Sequence, residues 1–375
     1  MSEPTFQIID PGLFTTVQDL GRHAYQRYGV PVSGAMDAFA LQAANLLVGN
    51  ESSDACLEIT VQGPTIHFLT DIVIAIAGSD MSPKLDGEDV PRWEPLDVKK
   101  GDLLTFGQLR DGMRAYVAFK GGIDVPVILD SRSTYTHGGF GGYRGRTLKS
   151  DDVISVSSDS ASVSRRELPN GYTSPVYGNH HEIRVVLGPQ DDLFTEDSIA
   201  TFLTARFKIS TESDRMGYKL VGPTIECSNN SNIISDGNAL GVIQIPGDGT
   251  PRILLSDRGT TGGYPKLATV ITADIGKLAQ ALPDHTLRFH RVSIEEAHDA
   301  LEDQDSVLRA ISRQGSPLSM TVSIGDVAYQ VETPDGLPVT KTSLHTASTS
   351  ETTRRLSAVI DGKSFDFKID VTQEE

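Results

Sequence analysis

The residues best equipped for chemistry gather in a few short segments. The densest is LSDRGTTGGYPKLATVITADIGKLAQ (255–280), which begins as a strand, passes through a glycine-rich turn and enters a helix. Such a turn presents backbone N–H groups and admits close ligand approach. Arg258, Thr260, Thr261, Tyr264 and Lys266 add donors suited to a carboxylate, carbonyl or phosphoryl oxygen. The segment reads as an anion-facing site, against the plainer alternative of a structural turn with solvated charges. A second segment, DSRSTYTHGGFGGYRGRTL (130–148), packs five glycines, two tyrosines and three arginines together. Arg132, Arg144 and Arg146 could grip a carboxylate or phosphate bidentately while the glycines let the backbone fold around it.

A third segment, TVQDLGRHAYQRYGVPVSGAMD (16–37), brings Gln18, Asp19, Arg22 and His23 close in sequence ahead of a helix start. His23 could serve as a general base near neutral pH, although a lone loop histidine is more often structural. SDRMGYKL (213–220) adds Asp214 and Arg215, which read as a local ion pair. His180 and His181 adjoin each other without a third ligand at metal-site spacing, so no metal is expected. GxxxxGK[ST] and GxGxxG are both absent, which removes P-loop and dinucleotide readings, and without GxSxG or HExxH the corresponding hydrolase readings lose support.

The elements that must position these segments are mostly strands. Glycine and proline cut the chain into short β-rich runs such as 71–78, 115–122, 182–189, 241–247 and 252–257. Helical periodicity is convincing at 36–50, 195–205, 272–283 and 293–312. The first helix is expected to open at Ser33 with Met36 and Asp37 in its first turn, burying Phe39, Ala43, Leu46 and Leu47. The polar stretch 157–175 suits a boundary between two cores. On either side of it QIIDPGLFTT resembles RVVLGPQDDLFT and VQGPTIHF resembles LVGPTIE, as in a duplicated fold. The tail reads as two strand–turn–strand units, 319–333 and 354–371, separated by a Ser/Thr-rich connector. They look like the small β-elements that precede a biotinyl carrier, yet no acceptor-lysine tetrapeptide is present, so the tail reads as a structural appendage. The expected domains are 1–160, 175–292 and a helix with β-rich appendage at 293–375.

With 375 residues, the chain exceeds what one hydrophobic core usually organises. A net charge of −17 repels a phosphate backbone and disfavours general nucleic-acid binding. Cys56 and Cys227 are too far apart in sequence for a zinc motif, the amino terminus lacks a secretory pattern, and no long apolar stretch suits a membrane span. A soluble, cytoplasmic protein without membrane association is expected.

Taken together, TTVQDLGRHAYQRYGVPVSGAMD, DSRSTYTHGGFGGYRGRTL, SDRMGYKL and GVIQIPGDGTPRILLSDRGTTGGYPKLATVITADIGKLAQ resemble the KipA, allophanate hydrolase subunit 2 or carboxyltransferase-domain family. The resemblance runs from about residue 5 to about 292 and gives the tail after about 315 no support. It implies a mostly β (α+β) fold of two cyclophilin-like β-barrel domains in tandem. It also implies the C subunit of an ATP-dependent 5-oxoprolinase, working with a KipI-like B subunit and a LamB/YcsF-like A subunit to convert 5-oxo-L-proline to L-glutamate. One alternative is the carboxyltransferase component of a biotin-dependent urea or amide carboxylase, with carboxybiotin on a separate carrier. Another is a KipA-type regulator that binds a KipI-like kinase inhibitor. Both chemistries need cations and N–H groups aimed at a developing oxyanion. The expected catalytic residues are Lys266, Arg258 and Arg132. Gln244, Thr260, Thr261, Tyr264, Ser131, Thr134, Arg22 and Arg215 are expected to bind the substrate, and Asp37 and Arg22 are weaker choices.

Overall fold

The computed structural model describes residues 3–157, 166–228 and 232–314, followed by the backbone of five strands between 318 and 370. Two units follow each other along the chain, 1–311 and 312–375.

In the amino-terminal half of the first unit, alternation of apolar and polar residues builds two sheets. One has six strands, in the order Val153–Ser155, Pro4–Asp10, Thr65–Phe68, Leu103–Phe106, Pro83–Leu85 and Glu88–Asp89. The other has five: Phe14–Gln18, Cys56–Thr60, Asp111–Phe119, Ile72–Asp80 and Pro95–Val98. Phe6, Ile8, Ile66 and Phe68 from the first meet Leu57, Ile59, Ile74, Ile76 and Val117 from the second in one core, where the Phe6 and Phe119 rings stack at 4.3 Å. Each such buried side chain contributes about 1.5–3 kcal/mol.

The opposite face of the five-stranded sheet carries small residues, Cys56, Ala75, Ala77 and Ala118, and this flat surface lets a helix lie close. That helix, α1 (Ala38–Leu47), covers it with Leu41, Ala44 and Leu47. It is capped by Asp37, whose carboxylate accepts from the Ala40 amide at 3.1 Å, and not by Ser33 as its sequence suggests. Ser33 instead takes a left-handed φ of 56° in the turn before it.

The second half forms a closed seven-stranded barrel. Its order is His180–Leu187, Lys266–Val270, Val242–Gln244, Arg252–Leu254, Gly217–Val221, Phe207–Ile209 and Thr286–Arg291. The seam between His180–Leu187 and Thr286–Arg291 is parallel; the other ladders are antiparallel. Phe202 of α2 (Glu196–Thr204) and Ile275, Leu278 and Ala279 of α3 (Thr272–Ala279) join Ile183, Ile243, Ile253 and Phe289 in the barrel core. The fourth helix, α4 (Ile294–Ser312), contributes Leu308 and Ile311 to the cluster under α1.

The mostly β architecture and all four helical stretches agree with the sequence pattern. The difference lies in the first half, whose strands end in two separate sheets where a closed barrel was expected. Part of the 157–175 boundary, 158–165, lies outside the described residues, as do the expected tail turns at 325–326 and 361–362. Within the second unit, Leu318–Ile324 pairs with Val327–Thr333, and Thr342–Ser350, Thr353–Ile360 and Lys363–Asp370 form a three-stranded sheet. The Ser/Thr-rich connector thus contains a strand of its own, its threonines suiting an extended chain.

Candidate functional site

The four sequence segments converge where the two halves of the first unit meet. Asp19 is the first organiser. Its carboxylate accepts from the Ser131 hydroxyl at 2.7 Å, the Gly21 amide at 2.8 Å, and the Arg132 amide and Ser133 hydroxyl. This clamps the 16–37 segment to the 130–148 loop. Thr134 is held by Val17, its hydroxyl donating to the Val17 carbonyl at 2.8 Å. Arg22 is fully buried, donates through Nη2 to the Ser133 carbonyl, and lies with its guanidinium 5.0 Å from the Phe140 ring centre. Gly141, at φ +74°, is what makes the space: a Cβ there would stand 2.7 Å from Arg22 Nη2. Among the described residues the Nε and Nη1 atoms of Arg22 have no hydrogen-bond partner, nor has Gln18 Oε1. Burial lowers the Arg22 pKa, while the nearby Asp19 and Asp257 pull it back up.

The second half meets this group through 255–258. The Ser33 amide donates to the Ser256 carbonyl at 3.0 Å and the Ser256 hydroxyl to the Ala35 carbonyl at 3.2 Å. Arg215 spends its guanidinium on Asp257 at 3.0 Å, on the Gly34 carbonyl at 2.6 Å and on Glu58. Burial opposes its charge, but Glu58 and Asp257 more than reverse that and raise its pKa. The other Glu58 oxygen accepts from the Met36 amide at 2.8 Å and the Tyr116 hydroxyl at 2.7 Å. Arg215 therefore ties the halves together, with Asp257 and not its neighbour Asp214 as ion partner. Asp214 caps its own turn, accepting from the Met216 amide at 2.8 Å.

From Asp257 the polar strip continues along the barrel rim. Arg258 donates through Nε to the Asn238 carbonyl at 3.0 Å and through Nη1 to the Leu255 carbonyl at 3.2 Å, and burial lowers its pKa. Asn238 accepts from Gln244 at 3.0 Å, and Gln244 lies opposite Lys266 in the ladder. Gly262 permits this crossing, since a Cβ would approach Gln244 Nε2 to 2.6 Å. The Lys266 ammonium is buried without a hydrogen bond among the described residues, 3.7 Å from an exposed Asp236 carboxylate. Thr260, Thr261 and Tyr264 stand at the rim, where Tyr264 is 41% exposed.

Arg132, Ser131, Thr134 and Arg22 thus share one end of the strip, and Arg258, Gln244 and Lys266 share the other. Arg132 turns its Nε to the Val125 carbonyl at 3.1 Å. His23 is exposed and bonds the Leu20 carbonyl of its own loop. Arg146 lies outside the strip, bidentate to Asp152 at 2.7 and 2.8 Å. Asp37 is buried behind it, accepting from Gln280 at 2.8 Å, and burial raises its pKa. Sequence reasoning missed Glu58, Asp257, Asn238 and Gln280. An acid inside the apolar strand Cys56–Thr60 was the available signal, because a buried carboxylate requires a partner. Among the described residues no cluster of three or more His, Cys, Asp or Glu could hold a metal ion, and no helix is long and apolar enough to cross a membrane.

A mostly β two-part unit with a polar strip at its junction matches a known class. Residues 28–291 fit the family described as carboxyltransferase domain, subdomain A and B, and the chain belongs to it. Among individual proteins, it is similar to the C subunit of the Escherichia coli 5-oxoprolinase, at 38% identity over 298 residues covering 80% of this chain and 94% of that protein. It is also similar to urea amidolyase of Saccharomyces cerevisiae, at 36% identity, covering 82% of this chain and 18% of that one. The crystal structure of the K. lactis urea amidolyase superposes with a TM-score of 0.79 at 31% identity, covering 96% of this chain and 23% of that chain.

Proposed function

We propose that this chain is the C subunit of a cytoplasmic, ATP-dependent 5-oxoprolinase, completed by a KipI-like B subunit and a LamB/YcsF-like A subunit. The observation that carries this reading is the set of buried donors left without partners, Arg22 Nε and Nη1 and Lys266 Nζ, in a strip whose other polar groups are largely spent. An unmade buried hydrogen bond costs about 1–3 kcal/mol. A fold keeps that cost where an outside acceptor completes the set. Similarity across 94% of the E. coli protein supports the choice of substrate.

In this reading Lys266 and Arg258, at one end of the strip, stabilise charge developing on the amide oxygen of 5-oxo-L-proline, and Arg132, at the other, supplies positive charge to the far side of the site. Arg22, Ser131, Thr134 and Gln244 orient its amide and carboxylate, Thr260, Thr261 and Tyr264 close the rim, and Arg215 holds the two halves in register. ATP, bound by the assembled complex, supplies the phosphoryl group that activates the amide, and the free donors here suit an oxygen anion. We read the first half as an opened counterpart of the barrel in the second, both variants of one cyclophilin-like domain.

A second reading is biotin-dependent carboxyl transfer to a urea-like or amide substrate. What favours it is the likeness to the K. lactis urea amidolyase, which spans 96% of this chain. Carboxybiotin on a separate carrier would then present its carbonyl to the same donors. The deciding experiment mixes the chain with its two partner subunits, 5-oxoproline and ATP, and measures glutamate, omitting each component in turn. Release that needs all three subunits is the expected result. No release from folded, associated subunits would overturn the reading in favour of carboxyl transfer or of a KipA-type binding role.

A further inference from the structure

A second polar cleft lies on the barrel, remote from the strip. It has a volume of about 80 Å³ and is lined by His180, His181, Glu182, Arg206, Thr286 and Arg288. The parallel seam sets His180 beside Thr286 and Glu182 beside Arg288. On the other flank Phe207 lies opposite Leu287 and Lys208 opposite Thr286, and continuing this register by one residue sets Arg206 opposite Arg288. Because side chains alternate along a strand, Arg206, Lys208, Thr286, Arg288, His180 and Glu182 share one face of three adjacent strands.

Like charges set opposite each other across a sheet are destabilising. In a chain with 50 Asp and Glu, carboxylates to offset them are plentiful. Here, however, the one acidic lining residue, Glu182, is engaged by His290. Arg288 Nε is buried without a hydrogen bond, and among the described residues no ion pair reaches Arg206 or Arg288. Lining by two arginines and two histidines, a volume of two or three waters, and an unspent donor fit a compact anion with several oxygens.

We propose that this cleft binds a phosphate-type oxyanion, as free phosphate or as the terminal phosphoryl group of a nucleotide. It is separate from the strip. His180 begins the strand whose far end reaches Lys266 through the bond of the Gly188 amide to the Leu267 carbonyl. Along that strand the two sites stand roughly 23 Å apart at the rise of an extended chain.

The test is isothermal titration of the full chain with inorganic phosphate and, separately, with ATP, at constant ionic strength. Wild type, Arg288→Gln, Arg206→Gln and Lys266→Met are compared, each checked for folding by thermal melting. The expected result is phosphate binding with a millimolar or tighter Kd, weakened about tenfold or more by either arginine substitution and unchanged by Lys266→Met. ATP binding with the same sensitivity, without phosphate binding, would assign the oxyanion to a nucleotide. Should Arg288→Gln fail to fold, the exposed Arg206 carries the test. No binding of either ligand by wild type, or equal affinities in all four proteins, overturns the proposal.

Discussion

Replacing Lys266 with methionine is expected to strengthen the fold while silencing the proposed activity. The residue is 2% exposed and its ammonium makes no hydrogen bond. Its counter-charge, Asp236, stands 3.7 Å away with its side chain 63% exposed. An unmade buried donor costs about 1–3 kcal/mol, and an ion pair largely in water returns about 0–1 kcal/mol. Methionine retains most of the stem's apolar length and brings no donor, so packing is kept and the cost removed. The mid-range net gain is about 1.5 kcal/mol, which raises Tm by roughly 3–6 °C at about 2–4 °C per kcal/mol. Under the proposed function the same change deletes the cation assigned to the reacting oxygen and is expected to lower glutamate release about 10²–10³-fold in the reconstituted complex. Thermal melting of the isolated chain and turnover of the complex read the two effects independently. A clearly lower Tm would mean the ammonium is already satisfied within the folded chain, and unchanged turnover would remove Lys266 from the site.

Glu58→Gln strips Arg215 of one of its two carboxylates inside a buried network. It is expected to cost about 3–5 kcal/mol, read by chemical denaturation; a loss under about 1 kcal/mol would mean that Asp257 alone suffices. Arg22→Lys keeps the charge and loses the fork whose Nε and Nη1 are unspent. The complex should lose about 10–100-fold in kcat/KM, and an equal rate would place substrate elsewhere. Burial, followed by the neighbouring His285 and His180 and opposed by Asp111, lowers the His181 pKa to about 4 from 6.5. The fold therefore favours the neutral ring. This contribution is complete above pH 6.5 and is lost as the pH falls from 6.5 towards 4. Melting curves across that window should drop for the wild type and flatten for His181→Gln; parallel curves would remove His181 as the cause.

Periodicity and stop signals placed the helices: α2, α3 and α4 carry an apolar face, and α1, buried on most of its sides, is ended by Gly49 and Asn50. Strand existence was equally legible, but closure was not. Whether strands close into one barrel or split into two sheets depends on which edges pair, and no local pattern records that for Glu88–Asp89 or Pro95–Val98. The helix cap was misjudged by a short distance because Ser33 and Asp37 are both good caps, and Ser33 is drawn away by the bond from its amide to Ser256. Motif reading brought out Arg22, Arg258 and Lys266 as chemically dense positions but not the partners that decide which atoms stay free. Asp214 adjoins Arg215 in sequence, yet the guanidinium is taken by Asp257, a contact set by the ladder between Gly217–Val221 and Arg252–Leu254.

The geometry of the strip is a product of docking between the halves. Glu58 and Tyr116 belong to the first half and Arg215 and Asp257 to the second, and each charge would be costly to bury without the other. Once joined, they hold the Gly34 carbonyl and the Met36 amide, fixing the 33–37 turn from both sides. The start of that segment sets Arg22, whose amide donates to the Val32 carbonyl at 2.8 Å, and its Ser33 amide reaches the Ser256 carbonyl beside Asp257. Arg22 itself is thus held by the first half, through Val32, Ser133 and Phe140, while the second half braces the turn that follows Val32. A substitution that loosens the junction is expected to shift the 33–37 turn, and Arg22 through Val32, ahead of the two apolar clusters, of which the barrel's takes only Met36 from the first half. The proposed activity is therefore expected to be more sensitive than sheet content to damage at Glu58 or Arg215, even though the proposed reaction requires neither to touch the substrate.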